Sequence, residues 1–469
     1  MSAGRPTGLR QARPALARVL RRFAPLIREQ RRLLVLGLLA LLLEVGLRLV
    51  EPWPLAYVID TLVIAAGGEL TGGGVGGASL RTVLIVCAVA TAAAVGLRAG
   101  ASYAMTVCFA LAGNRVLTRV RAQVYAHLNA LSMDFHDRSR TGDLVSRVTG
   151  DVGRLQDATV TALLPLTGNI ITLLGMVAVI TVLDWRLALV VLGIFPLFFL
   201  TSIRLTKRLH GLARTQRAAE GQLASVATES LGAMKVVHSF SLEDRMQERF
   251  GGSNIKSMRD GVKGTKLSAG LERKTDLLVG LATGLVLFFG ATRVLAGDLT
   301  PGELTVFLTY LKTAFKPMRD ISKYTARIAK AAASGERILD VLDQQPTVVD
   351  SAGAQPAPPF RGHVRFEDVH LSYAPGQPVL RGIDLTVAAG TRVAVVGRSG
   401  SGKSTLVALL SRLRDPDQGR VLIDGHDVRD LTIASVRAQI SVVLQESVLF
   451  AASIRDNIAF GVPRAATDA

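Results

Sequence analysis

The sequence predicts an α-helical domain with six transmembrane spans, followed by part of an α/β domain. Three observations carry that reading. Apolar residues make up 49% of the 469-residue chain but are bunched, and residues 158–183, 187–203 and 277–292 contain no Asp, Glu, Lys or Arg. The first run alone reaches the roughly 20 residues a helix needs to cross a bilayer, and the other two approach it with their flanks. Second, the long segments 115–157 and 204–274 are dense in Arg and Lys, whereas 64–80 holds neither. Third, past a Pro- and Ala-rich stretch at 344–360, the helical pattern gives way to short alternating apolar runs.

The elements follow in order. Residues 1–32 carry nine Arg and no apolar core, so they read as a basic cytoplasmic leader rather than a cleavable signal. The helical domain is expected over 33–343, with spans at 33–59, 82–114, 159–183, 187–206, 276–296 and 302–322. Asp184-Trp185-Arg186 makes a tight turn between the third and fourth. The bias of basic residues puts both termini and the two long loops in the cytoplasm and the Gly-rich 64–80 loop outside. Glu44 and Arg48 stand i, i+4 and can neutralise each other, while Lys312 and Lys316 on the sixth span either line a pathway or snorkel. Residues 344–360 read as a linker.

The α/β part is expected over 361–469. Val364 and Phe366 alternate, then Val369, Leu371 and Tyr373 alternate in the opposite phase, which predicts two strands or one bulged strand. Residues 393–396 are expected as a short buried strand, 403–413 as a helix and 440–444 as a further apolar strand.

Charge narrows the partners. Lys and Arg number 55 against 37 Asp and Glu, a net charge of +18. Such an excess fits nucleic acid or an anionic membrane surface. Aromatics are only 5% and no basic helix carries them interleaved, so membrane lipid is the expected partner and nucleic acid is not. Cys87 and Cys108 share one apolar segment, which excludes a disulfide framework and a cysteine zinc site.

The strongest chemical signal is Gly397-Arg398-Ser399-Gly400-Ser401-Gly402-Lys403-Ser404-Thr405, which fits G-x-x-x-x-G-K-[ST] between an apolar tetrad and an apolar helical run. Glycines let consecutive backbone N–H groups point into one concavity. The helix N-terminus that follows adds partial positive charge. Lys403 can reach β- and γ-phosphates, and the Ser404 hydroxyl can ligate Mg²⁺.

At these residues the chain resembles an ATP-binding cassette (ABC) exporter half-transporter, a transmembrane domain fused to a P-loop nucleotide-binding domain. The resemblance implies ATP and Mg²⁺ as cofactors and export of a drug-, lipid- or peptide-like substrate. It further implies a multi-pass location in the cell membrane with the nucleotide-binding domain in the cytoplasm. The partner it implies is a second half-transporter, identical or different. By the same resemblance Tyr373 stacks on adenine, and Gln445 in Val442-Val443-Leu444-Gln445 joins Mg²⁺ and the attacking water to the membrane domain. Residues 134–151 and 229–243 resemble the two cytoplasmic loops that carry coupling helices. The apolar set Met234, Val237 and Phe240 on the second needs a protein surface, either a nucleotide-binding domain or the chain's own helices.

The sequence departs from the family after Gln445, where it offers no LSGGQ signature, no Walker B aspartate with its glutamate and no switch histidine. The expectation is a C-terminally truncated chain holding about half a nucleotide-binding domain, with hydrolysis by these residues alone in doubt. The alternative reading is a non-hydrolysing membrane subunit or pseudo-transporter with a scaffold role.

Overall fold

The structure is a computed structural model describing residues 9–65, 80–158, 162–374, 376–443, 445 and 448–460. It divides into two units, Met1–Val120 with Asp151–Glu336, and Arg121–Gly150 with Arg337–Ala469.

The first unit is helical. Helix α1 (Leu9–Glu29) is amphipathic: Ala15, Val19 and Phe23, spaced four apart, are buried, while Arg18, Arg21, Arg22 and Arg28 are exposed. Helices α2 (Arg31–Val50) and α3 (Trp53–Ala65) are parted at Glu51-Pro52, where proline has no N–H to continue the ladder. Helix α4 (Leu80–Ala130) runs into the second unit, which holds α5 (Met133–Arg138) and α6 (Thr141–Ser146). After a π turn at Arg147–Asp151 the first unit resumes with α7 (Val152–Ala158), α8 (Leu164–Leu183) and α9 (Trp185–Gly232). It continues through the short α10 (Met234–Ser239), α11 (Glu243–Leu295) and α12 (Pro301–Leu342).

Local chemistry sets the turns. The carboxylate of Asp184 accepts the N–H groups of Arg186 (2.8 Å) and Leu187 (3.1 Å), capping α9, and meets Arg293 Nε at 2.8 Å. Asp60 accepts from Thr300 Oγ1 at 2.8 Å and from the Gly302 N–H at 2.7 Å. A Cβ at Gly302 would sit 2.3 Å from the Ala56 carbonyl oxygen, so only glycine lets α12 approach α3 this closely.

The core joins α8, α9, α11 and α12 through Met176, Ile180, Val191, Val286, Phe307 and Leu311. Many other large apolar side chains, among them Leu39, Val89, Leu277 and Phe288, face outward. That pattern is costly in water and neutral in hydrocarbon. Among the described residues four helical stretches are long and apolar enough to cross a membrane, at 31–65, 80–130, 164–183 and 243–295. The sixth expected span falls on α12, where Lys312 and Lys316 are both exposed and dilute the apolar run. Much of the expected fourth span lies where α9 side chains are outside the described residues, as does most of the Gly-rich 64–80 loop.

The second unit carries an antiparallel sheet in the order β2-β1-β3-β4, from β1 (Val364–Ala374), β2 (Gln377–Val387), β3 (Gln418–Ile423) and β4 (His426–Asp427). The phase change in the sequence is one bulged strand. Its register shifts between Phe366 and Val369, with Asp368 at φ +47°, so Phe366, Val369 and Leu371 all reach the core. Helices α13 (Lys403–Leu410), α14 (Ile433–Arg437) and α15 (Ile454–Ala459) complete the unit.

Two expectations need correction. Residues 393–396 are neither a strand nor buried, and 440–443 form no strand. A buried strand needs ladder partners on its flanks, and the sheet just described pairs among its own four strands without them. The 344–360 segment is not free of the unit. The Gln355 N–H donates to the Asp430 carbonyl (3.0 Å), the Thr432 N–H donates to the Gln355 carbonyl (2.9 Å), and buried Arg412 donates to the Val349 carbonyl (2.9 Å).

Candidate functional site

Gly397–Thr405, the candidate phosphate loop, follow β2 after residues 388–396 and run into the first turn of α13. Gly400 and Gly402 adopt φ +82° and +91°, which only glycine enters without strain. Gly402 sits at the N-cap of α13, where a Cβ would come 2.9 Å from Leu380 Cδ2. The turn therefore closes tightly onto β2 and aims the first N–H groups of α13 outward. Lys403 Nζ folds back over the loop, donating to the carbonyls of Gly397 (2.9 Å) and Arg398 (2.8 Å). Ser404 is exposed beside it and Thr405 is buried.

Tyr373, at the end of β1, is joined to this loop. Its hydroxyl and Thr405 Oγ1 are 2.9 Å apart. One face of its ring receives Arg414, whose Cζ lies 4.3 Å from the centroid. Arg414 is largely buried and ion-pairs with Asp137 of α5 (2.6 Å) and with Asp134 of the same helix. Arg138 Nη2 donates to the Tyr373 carbonyl at 3.0 Å. Ser132, which precedes α5, accepts the N–H groups of Thr347 and Val348, each at 2.9 Å. Helix α5 is thus tied to the strand end that carries Tyr373. Gln445 is an exposed residue on a bend, and among the described residues no hydrogen bond ties it to Lys403 or Ser404.

Asp134 and Asp137 fall in the 134–151 segment that the sequence marked, whereas Arg414 falls in no marked motif. No local pattern marks Arg414, because both carboxylates lie more than 270 residues earlier in the chain. The 229–243 segment behaves differently. In α10, Val237 is buried within the first unit, while Val236 and the following Phe240 are exposed.

The helical unit holds a further polar feature. A cavity of about 620 Å³ between α2, α3, α4, α8 and α12 is lined by Arg48, Glu51, Arg98, Thr309, Tyr310 and Thr313, among others. Glu51, just past the end of α2, pairs with Arg98 of α4 at 2.6 Å, a neutralising contact between helices. Lys312 and Lys316 are not part of that lining.

Comparison with known families settles the class. Residues 34–318 match the ABC transporter transmembrane region, and residues 380–469 match the ABC transporter family itself. This chain belongs to the ABC transporter family. The ABC chain is 32% identical over 365 residues to an ATP-dependent lipid A-core flippase of Syntrophus aciditrophicus, covering 78% of this chain and 61% of the relative. A lipid A-core flippase of Desulfotalea psychrophila is 31% identical over 359 residues, 76% of this chain and 63% of the relative. A Bacillus subtilis protein whose name describes a multidrug export ATP-binding/permease protein is 29% identical over 448 residues, 95% of this chain and 76% of the relative. This ABC chain therefore spans about three fifths of the two flippases it matches. It is a membrane protein with its helical transmembrane and nucleotide-binding regions on one polypeptide.

Proposed function

We propose that this chain binds ATP through Gly397–Thr405 and serves as one half of a dimeric exporter of an amphipathic, lipid- or drug-like substrate. The observation that carries the reading is the juxtaposition in one unit of the Lys403 loop, Tyr373 and helix α5. Backbone N–H groups around Gly400–Lys403 receive the phosphates, Lys403 leaves its loop carbonyls to pair with them, and Tyr373 offers its remaining ring face to adenine. Arg398, Ser399 and Ser401 shape the loop mouth. Ser404 and Gln445 supply hard oxygen donors of the kind Mg²⁺ prefers. That ion, when bound, screens the phosphate charge.

The relatives' printed names support this class, since they concern lipid A-core and multidrug export. The 620 Å³ cavity supports an amphipathic substrate, because it offers ionised and hydroxyl groups inside an otherwise apolar bundle. In this reading α9 and α12 add two spans to the four apolar ones. The termini and the tips carrying α5 and α10 then face the cytoplasm of a cell whose plasma membrane holds the protein. Exposed Phe240 and Val236 dock on a second half-transporter, identical or different.

The test is ATP-dependent accumulation of a fluorescent amphipath in inside-out vesicles made from cells expressing the complete gene product. Accumulation that Lys403→Ala abolishes supports the proposal. Accumulation that Lys403→Ala leaves unchanged contradicts it.

A further inference from the structure

Two cavities share a wall beneath α1. The first, about 280 Å³, lies between α1, α4, α7 and α12 and is walled by Leu16, Phe23, Phe109, Leu155 and Ile328, with Gln30 the one polar side chain of its lining. The second, about 360 Å³, is lined by Arg154, Asp157, Arg327 and Lys330, and the two meet at Ala158 and Ala331. An apolar cavity of about 150 Å³ already stays dry and admits a benzene-sized group, because water inside it forfeits hydrogen bonds. The larger cavity here suits a hydrocarbon chain. The neighbouring space is lined by Arg154, Arg327, Lys330 and Asp157, and Asp151 pairs with Arg154, so three cations meet two carboxylates and the positive excess suits a phosphate.

The setting of α1 points to the source. Its buried face, Ala15, Val19 and Phe23, covers the bundle, with Ala15 packed on Ala329 and Ala332, while Arg21, Arg22 and Arg28 are exposed. Arg18 at the middle of the helix pairs with Glu336, and Glu29 at its C-terminal end pairs with Arg119, tying the helix to the bundle. A helix so built lies along a membrane surface with its basic face among head groups. Basic pockets between helices at that level attract anionic lipid.

We infer that the paired cavities hold one resident anionic glycerophospholipid. An acyl chain fills the apolar cavity and the phosphate lies against Arg327 and Lys330. Arg154 borders the same space while paired with Asp151 at 2.6 Å. The inference rests on α1 lying at the membrane surface, and not on ATP binding.

The experiment is native mass spectrometry of the protein released from nanodiscs containing equal phosphatidylglycerol and phosphatidylcholine. The parent retains phosphatidylglycerol by about tenfold over phosphatidylcholine. Arg327→Gln with Lys330→Gln, both at exposed positions, lowers that preference to near parity. Ala331→Phe, which narrows the shared wall, reduces retention of both lipids. Equal retention by the parent, or an unchanged preference in the glutamine pair, overturns the inference even if Ala331→Phe fails to fold. Failure of the protein to enter nanodiscs would instead contradict the membrane placement.

Discussion

Arg414 and Tyr373 stack at 4.3 Å, guanidinium carbon to ring centroid, and the same guanidinium bridges Asp134 and Asp137. One cation therefore joins the aromatic beside the phosphate loop to helix α5. Arg414→Leu keeps much of the volume but removes the stack and leaves two carboxylates without their partner. With Arg414 buried and both aspartates partly exposed, the expected loss is about 1–3 kcal/mol of unfolding free energy. Arg414→Lys restores charge without the planar fork and recovers only part of it. Urea unfolding of the three proteins measures both.

Tyr373 has two separable roles. Tyr373→Phe deletes the hydroxyl contact to Thr405 and keeps the ring, costing about 1 kcal/mol in stability with little change in nucleotide affinity. Tyr373→Ala removes the ring and weakens adenine binding by a further 0.5–1.5 kcal/mol, roughly. Titration with ATP and with a triphosphate lacking the base separates them, since only ATP responds to loss of the ring.

Asp424 controls the acid side of stability in the sheet unit. Its carboxylate accepts the His363 N–H at 2.9 Å, with further bonds from Arg361 and Gly362. The His363 bond leads in holding its pKa below the ordinary carboxylate value, against a smaller opposing effect of desolvation. A depressed folded-state pKa contributes stability above the unfolded value, and that contribution is lost as pH falls through the folded one. Asp424→Asn tolerates the residue's φ of +50° and removes the charge. The parent is expected to be more stable than the variant at neutral pH, with the gap closing on acidification below the normal carboxylate range. Thermal midpoints across pH check it.

Asp184 carries the turn between α8 and α9. Its carboxyl group is also held below the ordinary value: burial is the largest influence and opposes this, and the bonds from Leu187, Arg293 and Arg186 together overcome it. Asp184→Ala loses the cap and one of the two carboxylates that pair with Arg293, leaving it Asp298, with an expected cost of about 1–3 kcal/mol. Asp184→Asn keeps an acceptor for the two N–H groups and costs less. Thermal unfolding in detergent ranks the two.

Much of this was legible in the residues. The charge-free runs marked α8 and α11, the Asp184 turn was readable from three residues, and the phase change at 366–369 left two strands or one bulged strand, of which the structure has the bulged strand. Gly397–Thr405 was readable because a phosphate loop is local, with its glycines, lysine and hydroxyl all within one turn. Arg414 was not, since its partners come from a distant helix and no spacing encodes them. The same holds for Glu51 with Arg98, where α2 offered a nearer partner along its own face. Residues 393–396 misled for a different reason: apolar composition marks a segment able to enter a sheet, but ladder partners decide whether it does.

The most direct test of the whole account is equilibrium binding of a fluorescent ATP analogue to the purified chain and to Lys403→Ala. Lys403 donates to its own loop carbonyls at 2.8 and 2.9 Å, so its charge stands where phosphate oxygens would meet it. Saturable binding is expected for the parent, with a loss of at least about tenfold in affinity for the variant, from one charge-assisted contact. Equal affinity in the two proteins, or no saturable binding by the parent, contradicts the account.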